Sequence, residues 1–194
     1  MEAMASKSDT IYQLKITLDK IKPSIWRRVQ IKGSSNLADM HRVIQTVFGW
    51  ENSHMHQFIV GKVNYGDASF DDEVEDESAV TLTQLIPEEQ SKFRYEYDFG
   101  DDWMHTIVVE NIAPAEPGVQ YPRCLSGKRS GPPEDSGGPF GYPHLLEITS
   151  NPEHENYAEM SEWLGEEFDP EKFDLAAVNA ALQGRKSRVQ RLPK

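Results

Sequence analysis

Residues 11–18 read IYQLKITL and residues 25–32 read IWRRVQIK, with DKIKPS between them. In the first stretch Tyr12, Leu14, Ile16 and Leu18 fall on one side of an extended chain, and Ile11, Gln13, Lys15 and Thr17 on the other. Strict alternation of this kind marks a half-buried strand. Pro23 fixes one backbone dihedral in the connecting turn. Residues 10–32 are therefore expected to form a β-hairpin with one apolar face, which needs a covering layer.

The cover follows at once. After Gly33, Ser34 and Ser35 the chain runs LADMHRVIQTVFGW. Leu37, Met40, Val43, Ile44, Val47 and Phe48 recur at helical spacing, so one helix face packs on the sheet. Ser35 or Asn36 can cap its start, and Gly49 can end it. HMHQFIVGKVNYG, split by Gly61, predicts a second hairpin near residues 55–66. Residues 67–77 hold seven carboxylates, a density that predicts a solvated loop. TLTQLIP predicts a short helical piece that stops before Pro87.

KFRYEYDFG and WMHTIVVENI predict a central pair of strands, joined by a tight turn at FGDDW. Residues 114–143 are rich in Pro, Gly and Ser and show no periodicity; a loop this long is expected to be ordered and functional. Three short helices follow, the last capped by Asp174 and ended by Gly184. The expected class is α+β: an antiparallel β-sheet with one packed helix early in the chain and a C-terminal cluster of short helices. Residues 1–9 are expected to be disordered, 10–184 to form a single domain, and 185–194 to be a basic disordered tail.

Composition narrows the function. The chain has 194 residues, and its hydrophobic fraction of 38% suits a globular protein with a real core. No apolar run approaches the roughly 18 residues a membrane helix needs, and MEAMASKSD has no apolar h-region, so a cytoplasmic location without a membrane partner is expected. A single cysteine, Cys124, excludes a disulfide framework within the chain. The net charge is -12; with the five basic side chains of the last ten residues set aside, the rest of the chain stands at -17. That sign disfavours nucleic acid, whose phosphates require Lys and Arg. No Gly-rich phosphate loop is present.

Three stretches concentrate reactive side chains. His54 and His56 are two apart and would share a strand face, where paired imidazoles can grip one metal ion. Asp98, Asp101, Asp102 and His105 bracket a tight turn; they suit a divalent cation or an acid–base pair, and equally suit turn chemistry in which Asp accepts backbone N–H bonds and Gly permits positive φ. Cys124 stands near Arg123, Lys128 and Arg129, which would lower its thiol pKa, and Glu134 and Asp135 sit between two prolines and two glycines that would aim both carboxylates from a fixed loop. The candidate functional site is thus Asp98, Asp101, Asp102, His105, Cys124, Glu134 and Asp135. The candidate metal ligands are His54, His56, Asp98, Asp101 and His105. Mixed nitrogen, oxygen and sulfur donors suit zinc or another divalent transition metal, with no more than three or four residues binding directly. Lys22, Arg27 and Arg28 on the first hairpin are the candidate nucleic-acid contacts. Trp26 beside them could stack a base, although core packing of its indole is the simpler reading.

IKPSIWRR, LADMHRVIQTVFGWENSHMHQF, YDFGDDWMH and PRCLSGKRSGPPEDSGGPFGY occur in the order characteristic of the plasmid pRiA4b ORF-3-like family, which this chain resembles over about residues 10–183. The resemblance brings no biochemical activity with it. It implies a link to mobile genetic elements, since members occur on plasmids and some are labelled transposon passengers or resolvase-like. No Ser or Tyr framed by an Arg cluster is present here, so recombinase activity is not carried over. The family's motif maps onto Asp98, Gly100, Asp101, Trp103, His105, Cys124, Pro133, Glu134, Asp135, Gly137, Gly138 and Tyr142. The foremost expectation is a binding or interaction module for a protein or small-molecule partner. The first alternative is a metal-dependent hydrolase using the His/Asp/Cys/Glu cluster. The second is a weak nucleic-acid binder acting through the basic hairpin and tail.

Overall fold

The computed structural model describes residues 10–70, 73–165 and 168–184. The expectations for residues 1–9 and 185–194 lie outside these. Strands β1 (Thr10–Leu18) and β2 (Trp26–Lys32) form the expected hairpin, with Tyr12 opposite Ile31 and Leu14 opposite Val29. Tyr12, Leu14, Ile16 and Leu18 are all buried, as the alternation requires. Helix α1 (Leu37–Phe48) starts on a capping box in which Asn36 and Asp39 exchange hydrogen bonds with each other's backbone, and ends on Gly49 at φ 83°. Its face from Leu37 to Phe48 joins Tyr12, Leu14 and Ile16 in one apolar core. Each such side chain contributes roughly 1.5–3 kcal/mol by leaving water.

Strands β3 (His56–Val60), β4 (Val63–Gly66) and β5 (Glu75–Asp76) come next. The short helix α2 (Leu82–Leu85) is followed by β6 (Lys92–Tyr97), β7 (Trp103–Pro114) and β8 (Arg123–Lys128). All eight strands lie in one sheet of order β5-β4-β3-β6-β7-β1-β2-β8. It is antiparallel except where β5 runs parallel to β4, pairing Tyr65 with Glu75. The chain closes with α3 (Gly138–Thr149), α4 (Tyr157–Leu164) and α5 (Leu175–Leu182). The architecture is α+β, with β6 and β7 at the centre as expected.

Two local expectations are corrected. The acidic stretch 67–77 is not only solvated loop: it contributes β5, and Glu77 is buried because His56 pairs with it. The stretch 114–143 is not one aperiodic loop. Arg123–Lys128 adds an edge strand to β2, and α3 begins at Gly138. Gly131 allows the segment between them to lie directly on the end of α1, since a β-carbon there would stand 2.0 Å from the Phe48 carbonyl oxygen.

Candidate functional site

The site forms where three segments meet at the β6–β7 end of the sheet. The first is the β6–β7 turn. Asp98 leaves β6 in the left-handed region, at φ 58°, and Asp102 follows at φ 55°, whereas Gly100 has no positive φ. The turn thus places the unusual backbone on aspartates, which tolerate it by local hydrogen bonding. Asp98 Oδ1 accepts from the amides of Gly100 at 2.9 Å and Asp101 at 3.2 Å. Its Oδ2 is left to face the cleft.

The second segment links α1 to β3. Asn52 has φ 56°, and its Oδ1 accepts from His41 Nε2 at 2.8 Å. The Ser53 amide donates to Tyr97 Oη at 3.0 Å, and the Asp98 amide donates to the Met55 carbonyl at 2.8 Å. These bonds pin His54 against the end of β6. The third segment is the Pro-Pro-Glu-Asp turn. Trp50 Nε1 donates to the Pro132 carbonyl at 2.9 Å, and the Gly137 amide donates to Asp101 Oδ2 at 3.0 Å. Tyr97 Oη and the Glu51 amide both donate to Glu134 Oε1, each at 2.9 Å. Asp135 sits at φ 55°.

The three segments converge on His54 Nε2. Asp135 Oδ1 lies 3.1 Å from it, Asp98 Oδ2 3.6 Å and Glu134 Oε2 3.8 Å. Nε2 is nevertheless buried with no hydrogen-bond partner, because none of these oxygens meets it in bonding geometry. His54, Asp98 and Asp135 each offer one donor atom, and the three atoms lie within 4.8 Å of one another. Donors bonded to one ion at about 2.0–2.2 Å stand roughly 3–4 Å apart, and the two distances from the imidazole nitrogen, 3.6 Å to Asp98 and 3.1 Å to Asp135, fall in that range. The set is one imidazole and two carboxylates, with Glu134 alongside. Three protein donors leave positions free on an ion. Tyr97 is held neutral, its pKa pushed up first by burial and then by its bond to Glu134, so it remains a donor to that carboxylate.

The remaining residues named from the sequence lie outside this cluster. His56 lines the same cavity as His54, but β3 begins only at His56 and leaves His54 outside the strand. His56 Nε2 meets Glu77 at 2.8 Å, and its ring stacks on His41 at 3.5 Å. His105 is fully buried between Phe48, Trp50 and Tyr95, and burial pushes its pKa down to about 3. It is a neutral core histidine. Asp101 anchors the Gly137 amide, and Asp102 forms a surface ion pair with Lys20 at 3.1 Å. Cys124 is on β8 at the far edge of the sheet, and burial raises its thiol pKa. The basic neighbours expected to lower it do not prevail, and Arg27 offsets the shift only in part.

The hairpin contacts are also corrected. Arg27 is buried, donating to the Val47 carbonyl at 2.7 Å and the Lys128 carbonyl at 3.0 Å between the rings of Phe48 and Phe173. Burial lowers its pKa to about 10. Arg28 donates through Nε and Nη2 to the two Glu110 oxygens, at 2.6 and 2.8 Å, and through Nη1 to Ser126 Oγ at 3.2 Å. Of the three candidates, Lys22 is the exposed one. Trp26 is half-exposed between Lys15 and Arg28 and is not a core residue.

Sequence reasoning overlooked Tyr97, Trp50 and Asn52, which hold the site in place. An Asn three residues after a helix-ending glycine and a Tyr one residue before Asp98 were the available signals.

Comparison with known proteins agrees with this architecture. A crystal structure titled as a protein of unknown function, MM3350 from Methanosarcina mazei Go1, superposes with a TM-score of 0.79 at 38% identity, covering 86% of this chain and 96% of that one. The uncharacterized protein y4hQ of Sinorhizobium fredii is 36% identical over 177 residues, 89% of this chain and 91% of that relative. The description of plasmid pRiA4b ORF-3-like proteins matches residues 10–177, and the chain belongs to that family.

Proposed function

We propose that this chain is a divalent-metal-dependent hydrolase whose ion is held by His54, Asp98 and Asp135, with Glu134 as the general base. The observation that carries the reading is the buried, unpartnered His54 Nε2 facing three carboxylate oxygens at 3.1–3.8 Å. Asp98 and Glu134 each spend one oxygen on protein donors and turn the other toward the imidazole. Three carboxylates gathered around one imidazole repel one another, and a cation between them relieves that cost. One nitrogen and two oxygen donors suit zinc or manganese. The sulfur donor considered from the sequence drops out with Cys124.

An ion there would supply Lewis acidity to water and to a substrate carbonyl. Glu134, fixed by Tyr97 and the Glu51 amide, takes a proton from the attacking water and returns it to the leaving group. Hydroxide is added to one fragment and hydrogen to the other, so the step balances.

A second reading, an interaction module without turnover, draws on the apolar side chains exposed near the cleft, among them Phe70 and Trp163. The mobile-element link implied by the family concerns the setting in which such a protein works and adds no chemistry to the site.

Metal analysis of untagged protein, before and after chelation, tests the main reading. One ion per chain, lost in His54→Ala, together with ion-dependent cleavage of chromogenic ester or amide substrates, is expected. Wild-type protein that binds neither zinc nor manganese stoichiometrically overturns it.

A further inference from the structure

Seven large hydrophobic side chains are exposed among the described residues: Met55, Val63, Phe70, Phe99, Phe140, Trp163 and Leu175. Their distribution is uneven. Met55 follows His54 in the chain, and Phe99 follows Asp98. Met55 and Phe70 line a cavity of about 510 Å³ together with His54 and Val74. Trp163 lines a second cavity of about 290 Å³ with Leu145, Ile148 and Met160, and Asp135 forms part of its wall. The two cavities share no lining residue. They adjoin across the 3.1 Å contact between His54 Nε2 and Asp135 Oδ1. The polar pair therefore joins two cavities, each with large apolar side chains in its wall.

Exposed Phe and Trp cost solubility, and a soluble chain seldom gathers them without a ligand to cover them. Phe70 is 80% exposed and Trp163 48% exposed. The chemistry of the ligand follows from what each part accepts. Both chambers want an apolar group. The centre sets the carboxylates of Asp98, Glu134 and Asp135 around His54 in a chain of net charge -12, so even with one divalent ion in place it stays net negative and disfavours phosphodiesters and fatty carboxylates. A neutral, hydrolysable linkage with a large apolar group on each side satisfies all three parts. An amide between two hydrophobic residues has that form, and Asn52 and Ser53 on the larger chamber's wall offer hydrogen bonds to its flanking backbone.

We propose that the cleft seats a peptide, with a large apolar side chain in each chamber and the amide between them over the His54–Asp135 pair. This rests on the hydrolase reading for the fate of that amide: its C–N bond breaks, hydroxide joins the carbonyl carbon and hydrogen joins the nitrogen. The seat itself needs only the two chambers.

Binding of N-acetyl-Phe-Leu-amide and N-acetyl-Gly-Gly-amide to the full chain, with and without saturating zinc, separates the two ideas. Tryptophan emission and ligand-observed NMR give the dissociation constants. The Phe-Leu peptide is expected to bind at least about tenfold more tightly than the Gly-Gly peptide, and Trp163→Ala and Phe70→Ala should each remove most of that advantage. Both positions are exposed, so these variants should fold. Equal affinity for the two peptides, or an advantage that survives both substitutions, overturns the proposal even if the ion binds. If zinc fails to bind while the Phe-Leu preference and its loss in the variants persist, the hydrolase reading falls and the peptide seat stands.

Discussion

Tyr97 Oη bridges two segments of the site: it accepts from the Ser53 amide at 3.0 Å and donates to Glu134 Oε1 at 2.9 Å. The ring below it is fully buried and stacks on Trp50 at 4.8 Å, so the hydroxyl has little freedom. Tyr97→Phe keeps the stack and deletes the bridge. The Ser53 amide then lacks a partner, at a cost of about 1–2 kcal/mol. Glu134 loses one of its two anchors, and on the hydrolase reading turnover should fall roughly 10–100-fold, as when a supporting bond at a metal site is removed. The ion stoichiometry should stay at one per chain. Denaturant melts, metal analysis and turnover measured on one preparation check the three parts separately.

Gly138 provides a steric test of how the Pro-Pro-Glu-Asp turn is seated. It adopts φ +67°, and a β-carbon on it would lie 2.0 Å from the Asp101 carbonyl oxygen. Gly138→Ala must push the turn away from the β6–β7 connection, and a loss of about 3 kcal/mol or more is expected. Gly118→Ala is the control: its φ is +77° but nothing lies within 4 Å of the added carbon. Only the backbone penalty of about 1–2 kcal/mol applies there. Equal losses for the two variants would mean that the contact with Asp101 is not what holds the turn.

The contrast between these positions also explains which parts were legible in the sequence. Alternation in β1 and β2 and the helical spacing of α1 are local signals, and each survives into the fold because one apolar face must be buried. Tyr97 was invisible as a site residue because nothing local distinguishes it from Tyr95, which lies on the same face and hydrogen-bonds to His41 and Gln45 in the core. His54 and His56 were joined by a period-two argument that holds only inside a strand, and the strand begins two residues too late for His54. Arg27 and His105 were misjudged for a shared reason. The groups that meet them are far along the chain: Arg27 donates to the Val47 and Lys128 carbonyls, 20 and 101 residues away, and His105 Nδ1 meets the Tyr95 carbonyl 10 residues away while its Nε2 is buried without a partner. Glu134 and Asp135 were found because rigid prolines and permissive glycines around carboxylates are themselves a local signal.

Acid should destabilise the fold through its buried imidazoles. Burial, with the neighbouring His56 second, pushes His41 down to about 3, and burial does the same to His105. In the unfolded chain both titrate near 6.5. Between about pH 6.5 and 3 the unfolded state therefore holds protons that the native state does not. Stability contributed by the neutral rings is present above pH 6.5 and is lost as the pH falls, by up to about 1.4 kcal/mol per unit for each ring. Urea unfolding at pH 7, 6 and 5 should show this decline, and His105→Leu should make it shallower. An unchanged slope in that variant would show that His105 does not contribute to it.

Arg27 and Lys22 lie on the same hairpin and should behave in opposite ways. Arg27 donates to the Val47, Trp26 and Lys128 carbonyls from within the core. Arg27→Met keeps much of the volume between Phe48 and Phe173 but leaves those carbonyls short of donors, and about 3 kcal/mol should be lost. Lys22 is exposed, and Lys22→Ala should change stability by no more than about 0.5 kcal/mol. A salt-titrated DNA-binding assay on Arg28→Ala should match wild type, since the guanidinium is committed to Glu110.

Asn179 fastens α5 to the outer strand and, through it, shields Cys124. Its Oδ1 accepts from the Cys124 amide at 2.8 Å, and its Nδ2 donates to the Cys124 carbonyl at 2.9 Å. An edge strand ends in unpaired backbone groups, and this side chain supplies the partners that a ninth strand would otherwise provide. Native Cys124 should react with iodoacetamide far more slowly than the unfolded chain, because its thiol is buried and its pKa is raised. Asn179→Ala removes both bonds at once. The helix should then open more often, and labelling of Cys124 should speed up about tenfold or more for each 1.4 kcal/mol lost locally. On the hydrolase reading turnover should be unaffected, since β7, β1 and β2 stand between β8 and the β6 strand that carries the His54 cluster. Labelling that remains slow in Asn179→Ala would show that packing of α5 alone, without this pair of bonds, protects the thiol.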